Sequence, residues 1–144
     1  MKFLIAFQLF FILFFSNAQW SNDLQTAKET SQKEHKLILL NFSGSDWCAP
    51  CIMLKKEVFS SDEFKELAVE KLVLLRADFP RLKKNRLSDD DTRKNEVLAE
   101  KYNPEGKFPL TLLLDADGSV IASWDGYNGK KDEMLAKIKS AIYE

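Results

Sequence analysis

Cysteine and histidine are nearly missing from these 144 residues, which hold two cysteines and one histidine. Small secreted domains that depend on disulfides carry several, widely spaced cysteines, so two exclude that architecture. Zinc takes about four ligands of the Cys, His or carboxylate kind. Here the remaining nitrogen candidate is His35, just before an apolar run, where it reads as a surface residue. A mononuclear site would need carboxylates that show no motif spacing. A cluster shared between two chains is the alternative, and no metal or cofactor is expected. Excess charge is missing too: 21 basic residues face 22 acidic ones, for a net charge of -1. That balance gives no reason to expect nucleic acid or an acidic membrane surface as a partner. No internal repeat or low-complexity linker interrupts the chain, and its length suits one domain able to bury a core.

The first residues differ from the rest. Lys2 precedes a thirteen-residue apolar run over residues 3–15, then small residues at Ser16 and Ala18. This is the pattern of a secretory signal peptide, with cleavage expected after Ala18. The alternative is a membrane anchor, for which the run is short, since a span needs roughly 20 apolar residues. No cysteine follows the run, which excludes lipid attachment there. The expected organisation is a signal peptide over 1–18 and one domain over 19–144, and a periplasmic or secreted location.

Residues 21–34 read as a polar helix with Ser21 as N-cap and Leu24 and Ala27 on one face. Residues 36–43, KLILLNFS, read as a buried central strand. Residues 48–59 look helical. Ser60 and Glu63 have capping-box spacing, so a further helix should begin there and run through Phe64, Leu67 and Ala68. Residues 72–78 read as a second buried strand. Residues 80–91 carry basic residues and then three acids; they read as a solvated loop, with a partner-docking loop as the alternative. Residues 92–102 form a helix carrying Val97, Leu98 and Tyr102. Residues 110–114 and 119–124 form a hairpin across DADG. Residues 130–143 form an amphipathic last helix with Met134, Leu135, Ile138 and Ile142 inward. Strands alternating with helices, closed by a hairpin, predict an α/β layered fold with a mixed sheet.

Both cysteines sit in SDWCAPC, residues 45–51, where an apolar strand gives way to a helix. A bridge closing so short a loop removes little entropy from the unfolded chain, so a staple explains the pair poorly. A helix start offers unpaired N–H groups and the positive end of the dipole, and it acidifies a thiol placed there. Cys48 is expected at that mouth, partly exposed, with Cys51 one turn deeper on the same side. Pro50 lies in the first turn, where its missing N–H costs little. The pair suits a two-step exchange in which Cys48 attacks a disulfide and Cys51 resolves the mixed species.

The segments FSGSDWCAPC, VLLRAD, AEKYNPEGKFPLTLLLDADGSVI and WDGY together resemble the thioredoxin superfamily over nearly all of residues 21–143. The likeness is greatest to exported members and to the C-terminal domain of the bacterial membrane thiol transporter. It implies a thioredoxin fold with a central mixed sheet of four or five strands flanked by helices. It also implies that Cys48 is the nucleophile, Cys51 the resolving thiol and Trp47 the indole beside them. Pro109 matches a proline that is cis and faces the pair, where the reading without the family leaves a trans proline at a strand edge open. The backbone of Phe108 is then free to pair with an extended substrate, and Gly126 lies on the patch that partners dock against. Two departures stand out. Asn41 occupies the position of a buried acid that assists the resolving cysteine, which leaves water, Asp46 or Glu57 to take that proton. An extra residue in SGSD and a longer charged loop after Asp78 bear on partner choice.

The resemblance implies a thiol-disulfide oxidoreductase. The uncharged Ala49–Pro50 insert is similar to that of reducing members, and points to a monomeric reductase of protein disulfides fed by a membrane thiol donor. An oxidase or isomerase of the same fold, and a non-catalytic binding module, are the alternatives.

Overall fold

The computed structural model describes residues 17–144. Of the leader expected over 1–18, all but Asn17 and Ala18 lie outside the described residues. Along the chain run β1 (Trp20–Ser21), α1 (Leu24–Glu34), β2 (Leu37–Ser43) and α2 (Ala49–Leu54), which continues as a π-helical turn over Lys55–Phe59. Then come α3 (Asp62–Lys71), β3 (Leu72–Asp78), a 3₁₀ turn (Lys83–Asn85), α4 (Asp89–Tyr102), the β4–β5 hairpin (Leu110–Leu114, Val120–Asp125) and α5 (Lys131–Tyr143).

The five strands form one mixed sheet in the order β1-β3-β2-β4-β5. β1, β3 and β2 are parallel, β4 runs antiparallel to β2, and β5 runs antiparallel to β4 at the edge. This is the thioredoxin fold expected from the sequence, with the larger of the two expected strand counts, five. β2 lies at the centre and is buried on both faces, as its unbroken apolar run requires. Successive side chains of a strand point to opposite faces. Leu39, Leu74 and Leu113 therefore enter a core under α2, α3 and α5 with Leu54, Phe64 and Ile138. Ile38, Leu40, Phe42 and Leu112 enter a second core under α1 and α4 with Ala27 and Leu98.

Several boundaries differ from the sequence reading. Ser21 does not cap α1; it pairs with Leu75 in β1, and Asp23 is the cap, accepting from the Thr26 N–H at 2.9 Å. A two-residue strand is too short to show a period, so its backbone pairing is invisible in the sequence. Ser61, not Ser60, caps α3 through the Phe64 N–H, while Glu63 turns away to pair with Lys139. α4 begins at Asp89 rather than Thr92, because Ser88 accepts from the Asp91 N–H and three acids complement the dipole of the first turn. Leu98 is buried on α4, whereas Val97 is exposed. His35 is an exposed left-handed C-cap residue with φ 55°, its N–H bonded to the Ser31 carbonyl.

Leu113 is fully buried in the first core. Leu113→Ala should lower stability by about 2–5 kcal/mol. Urea unfolding of wild type and variant measures this, and a loss under half a kilocalorie would show that the sheet does not carry the packing described.

Candidate active site

β2 delivers the chain to the site and the start of α2 receives it. After Ser43 the chain turns through residues 44–48. The Gly44 carbonyl accepts from the N–H groups of Trp47 at 3.2 Å and Cys48 at 2.9 Å. A β-carbon at Gly44 would overlap the Trp47 indole, so the indole keeps this seat only with glycine there. Cys48 is the N-cap of α2, and its Sγ accepts from the Cys51 N–H at 3.3 Å. Sulfur here does what a serine or aspartate oxygen does at other helix starts. Cys48 and Cys51 are joined as a disulfide, with their Cα atoms 5.2 Å apart. Pro50 sits in the first turn. Cys48, expected to be partly exposed, retains only 5% of its surface, and Cys51 retains 3%. The turn that bonds the Cys48 amide to Gly44 and its sulfur to Cys51 tucks both residues in.

The cis peptide lies between Phe108 and Pro109, at the entry to β4. Trp47 meets the Phe108 ring edge-on at 5.4 Å, and Phe79 meets Phe108 at 5.6 Å. The Trp47 Nε1–H donates to the Phe79 carbonyl at 2.7 Å. Gly126, with φ 77°, donates its N–H to the Pro109 carbonyl at 2.9 Å. Trp47, Phe108, Pro109 and Gly126 are thus linked through direct contacts, although they come from separate stretches of sequence. Phe79 is the member that sequence reasoning missed. Its only signal is its place after the strand run LVLLRAD, which does not reveal an aromatic partner 29 residues away.

Asn41 is buried, and its amide donates to Thr111 Oγ1 at 3.2 Å. Its register neighbour on β3 is Arg76. Adjacent strands in register put these two side chains on one face. Arg76 stacks on Trp20 with its guanidinium 3.9 Å from the ring centroid. Burial pulls its pKa down to about 10, partly opposed by Asp78. Where the resemblance implies a buried acid, the sheet holds an amide in register with a desolvated cation. The two carboxylates weighed as substitutes are engaged elsewhere. Glu57 accepts from the Tyr127 hydroxyl at 2.5 Å, and burial, reinforced by Glu57, pushes that tyrosine up to about 12. Asp46 accepts from the N–H groups of Arg81 at 2.9 Å and Leu82 at 3.0 Å, and from the Asn85 amide at 3.0 Å. Ser45 is held in turn by Asp78 through its N–H at 2.9 Å and its hydroxyl at 2.5 Å.

These contacts give two measurable expectations. Gly44→Ala should displace Trp47, changing its near-ultraviolet circular dichroism, and slow disulfide exchange on the order of 10²-fold, as small misplacements at reacting centres do. An unchanged spectrum would contradict the close approach. The donors on Asp46, the Arg81 N–H first, hold its carboxyl below the ordinary 3.8. A carboxyl with a depressed folded pKa stabilises the fold above its unfolded value, and the contribution is lost as pH falls through the folded one. The Arg81 and Leu82 amide resonances should therefore shift together with a midpoint below pH 3.8. A midpoint at or above that value would show that the carboxylate does not hold the loop.

Comparison with known proteins places this geometry in a family. The family model described as thioredoxin-like matches residues 19–116. The chain is 35% identical over 127 residues to the disulfide bond reductase DsbH of Chlamydia pneumoniae, covering 88% of this chain and 74% of that one. A solved structure of a DsbH oxidoreductase superposes with a TM-score of 0.76 at 34% identity, over 89% of this chain and 86% of that one. The oxidised C-terminal domain of Neisseria meningitidis DsbD shares the fold, with a TM-score of 0.56 at 22% identity over 82% and 92% of the two chains. The likeness to DsbH spans most of both chains and includes the region of the bonded cysteines, and the protein therefore belongs to the thioredoxin-like family, as a disulfide oxidoreductase similar to DsbH.

Proposed function

We propose that this protein is an exported reductase of protein disulfides. The observation that carries the reading is the Cys48–Cys51 pair at the start of α2, with the Cys48 sulfur seated as the helix cap. The N–H that meets this sulfur, together with the helix dipole, favours a thiolate there over a neutral thiol. In the reduced protein the Cys48 thiolate attacks a substrate disulfide. One sulfur–sulfur bond breaks, a mixed disulfide forms and the first substrate thiolate leaves. The Cys51 thiolate then attacks the Cys48 sulfur, closes the internal bridge and releases the second substrate thiolate. Two electrons pass from the pair to the substrate. With Asn41 unable to act as a base and Asp46 and Glu57 engaged, water takes the Cys51 proton.

Trp47 and Pro50 shape the pair's surroundings. The Phe108 backbone, before the cis Pro109, pairs with an extended substrate segment, and Gly126 keeps the neighbouring surface flat. The reducing direction is supported by the uncharged Ala49–Pro50 insert and by the reductase name of the Chlamydia pneumoniae relative. Export is supported by the apolar leader over 1–18, after which the domain acts as a monomer. Among the described residues no helix is long and apolar enough to cross a membrane. Turnover needs a dithiol donor, for which a membrane thiol protein is the natural class. No metal or cofactor is needed.

Cys51→Ser should accumulate mixed disulfides with substrate proteins and Cys48→Ser should not, as read on non-reducing gels; equal trapping by both would reverse or remove the assigned roles. Equilibration of the pair with glutathione should give a potential near ~-270 mV, whereas one near ~-120 mV would make the protein an oxidant. A pair that fails to accelerate disulfide reduction by dithiothreitol would leave a binding module.

A further inference from the structure

Four cations stand on one short loop with no acid among them. Between Phe79 and Leu87 the chain carries Arg81, Lys83, Lys84 and Arg86, all exposed, in a protein whose net charge is only -1. Arg86 reaches Asp89 at 3.9 Å between two highly exposed side chains, a pair that neutralises little. Among the described residues Arg81, Lys83 and Lys84 take part in none of the ion pairs that engage lysines elsewhere.

A solvated run of charge would hang free, but this one is fastened to the active site. Asp46 holds the loop through three hydrogen bonds to residues 81, 82 and 85. Trp47 holds the Phe79 carbonyl. These two anchors immediately precede Cys48. The Arg81 guanidinium lies over the Trp47 ring, 3.8 Å from its centroid, and Trp47 in turn meets Phe108. Positive charge is therefore held in one continuous surface with the residues framing the cysteine pair. The acids nearby keep their charge but do not pair with Arg81, Lys83 or Lys84: Asp46 bonds neutral donors of the loop, Asp78 bonds Ser45, Asp89 lies 3.9 Å from Arg86, Asp90 pairs with Lys94 and Asp91 bonds Asn22.

We propose that residues 80–86 form a recognition element that selects disulfide substrates with acidic residues flanking the reacting cystine. This rests on the disulfide-exchange reading above and adds the class of substrate to it. Arg81, stacked on Trp47, supplies the fixed contact, while Lys83 and Lys84 draw an anionic partner in before contact. The exchange step itself is unchanged. An anionic membrane surface would also attract such a loop, but its attachment beside the cysteines favours the substrate.

The test reduces the purified protein and measures its exchange rate with three disulfides. These are a cystine peptide flanked by glutamates, the same peptide flanked by lysines, and neutral bis(2-hydroxyethyl) disulfide. Dividing each peptide rate by the neutral one removes changes in the thiolate itself. At low salt the glutamate peptide should exceed the lysine peptide by on the order of tenfold, and high salt should close the gap. Arg81→Gln with Lys83→Gln and Lys84→Gln should bring the ratio close to one. Asp46→Asn, which keeps every cation and weakens the fastening, should lower it partway. An equal ratio in an actively exchanging wild type overturns the proposal. So does charge-dependent binding to phosphatidylglycerol vesicles without any preference in exchange, which would assign the loop to membranes. No exchange with any of the three removes the disulfide-exchange reading and this inference with it.

Discussion

The indole N–H that Trp47 gives to the Phe79 carbonyl at 2.7 Å helps join the two loops that leave β2 and β3 at the same end of the sheet, beside the bonds of Ser45 to Asp78 and of the second loop to Asp46. Those strands run parallel and in register from Leu37 opposite Leu72 to Ser43 opposite Asp78, so their exits must lie side by side. The bond seats the indole across Gly44, where any larger residue would exclude it. With the indole in place, the turn closes on the Gly44 carbonyl and Cys48 arrives at the start of α2. The other face of the arrangement is Phe108, whose ring meets both Trp47 and Phe79. A functional constellation needs such support, because side chains on loops are only as precise as the groups that hold them.

Burial explains why this end of the sheet can be so closely organised. β2 and β4 are covered on both faces, so their register cannot slip by one residue without exchanging one core for the other. That register puts Leu110 opposite Phe42 and Thr111 opposite Asn41. Pro109 then falls at the mouth of the sheet, level with the end of β2, and the Gly126 N–H reaches its carbonyl from the end of β5. Polar groups drawn into this core are mostly satisfied: Asn41 bonds Thr111, and Asn95 gives its amide to the Asp78 carbonyl. Two exceptions remain among the described residues: the Asn95 Oδ1 lacks a donor, and Arg76 leaves two of its nitrogens without a partner while its guanidinium lies on Trp20.

The sequence showed the fold well where periodicity was long and burial continuous. β2, β3, β4 and α5 could be read to within a residue or two because their apolar pattern extends over five or more positions. It failed where one hydrogen bond decides an end. Ser60 and Ser61 are equally good caps in composition; the phase of the π-helical turn chooses Ser61, leaving Ser60 bonded to the Lys55 carbonyl. Ser21 looked like a helix start because nothing local announces that two residues will pair with β3. In the site, Cys48, Cys51 and Trp47 were legible as one short motif. Asp46 was legible only as a charge near the cysteines, since its partners lie 35 to 39 residues further on.

What the sequence by itself determined is the chemistry available: two sulfurs at a helix start and an uncharged insert between them. These follow from residue identity and short spacing, which local backbone geometry turns directly into position. What only the tertiary structure decided is which side chains surround that chemistry. The aromatic contact of Trp47, Phe79 and Phe108 and the capture of the basic loop by Asp46 both join residues far apart in the chain. Their meeting depends on strand order and register, and no local pattern records those.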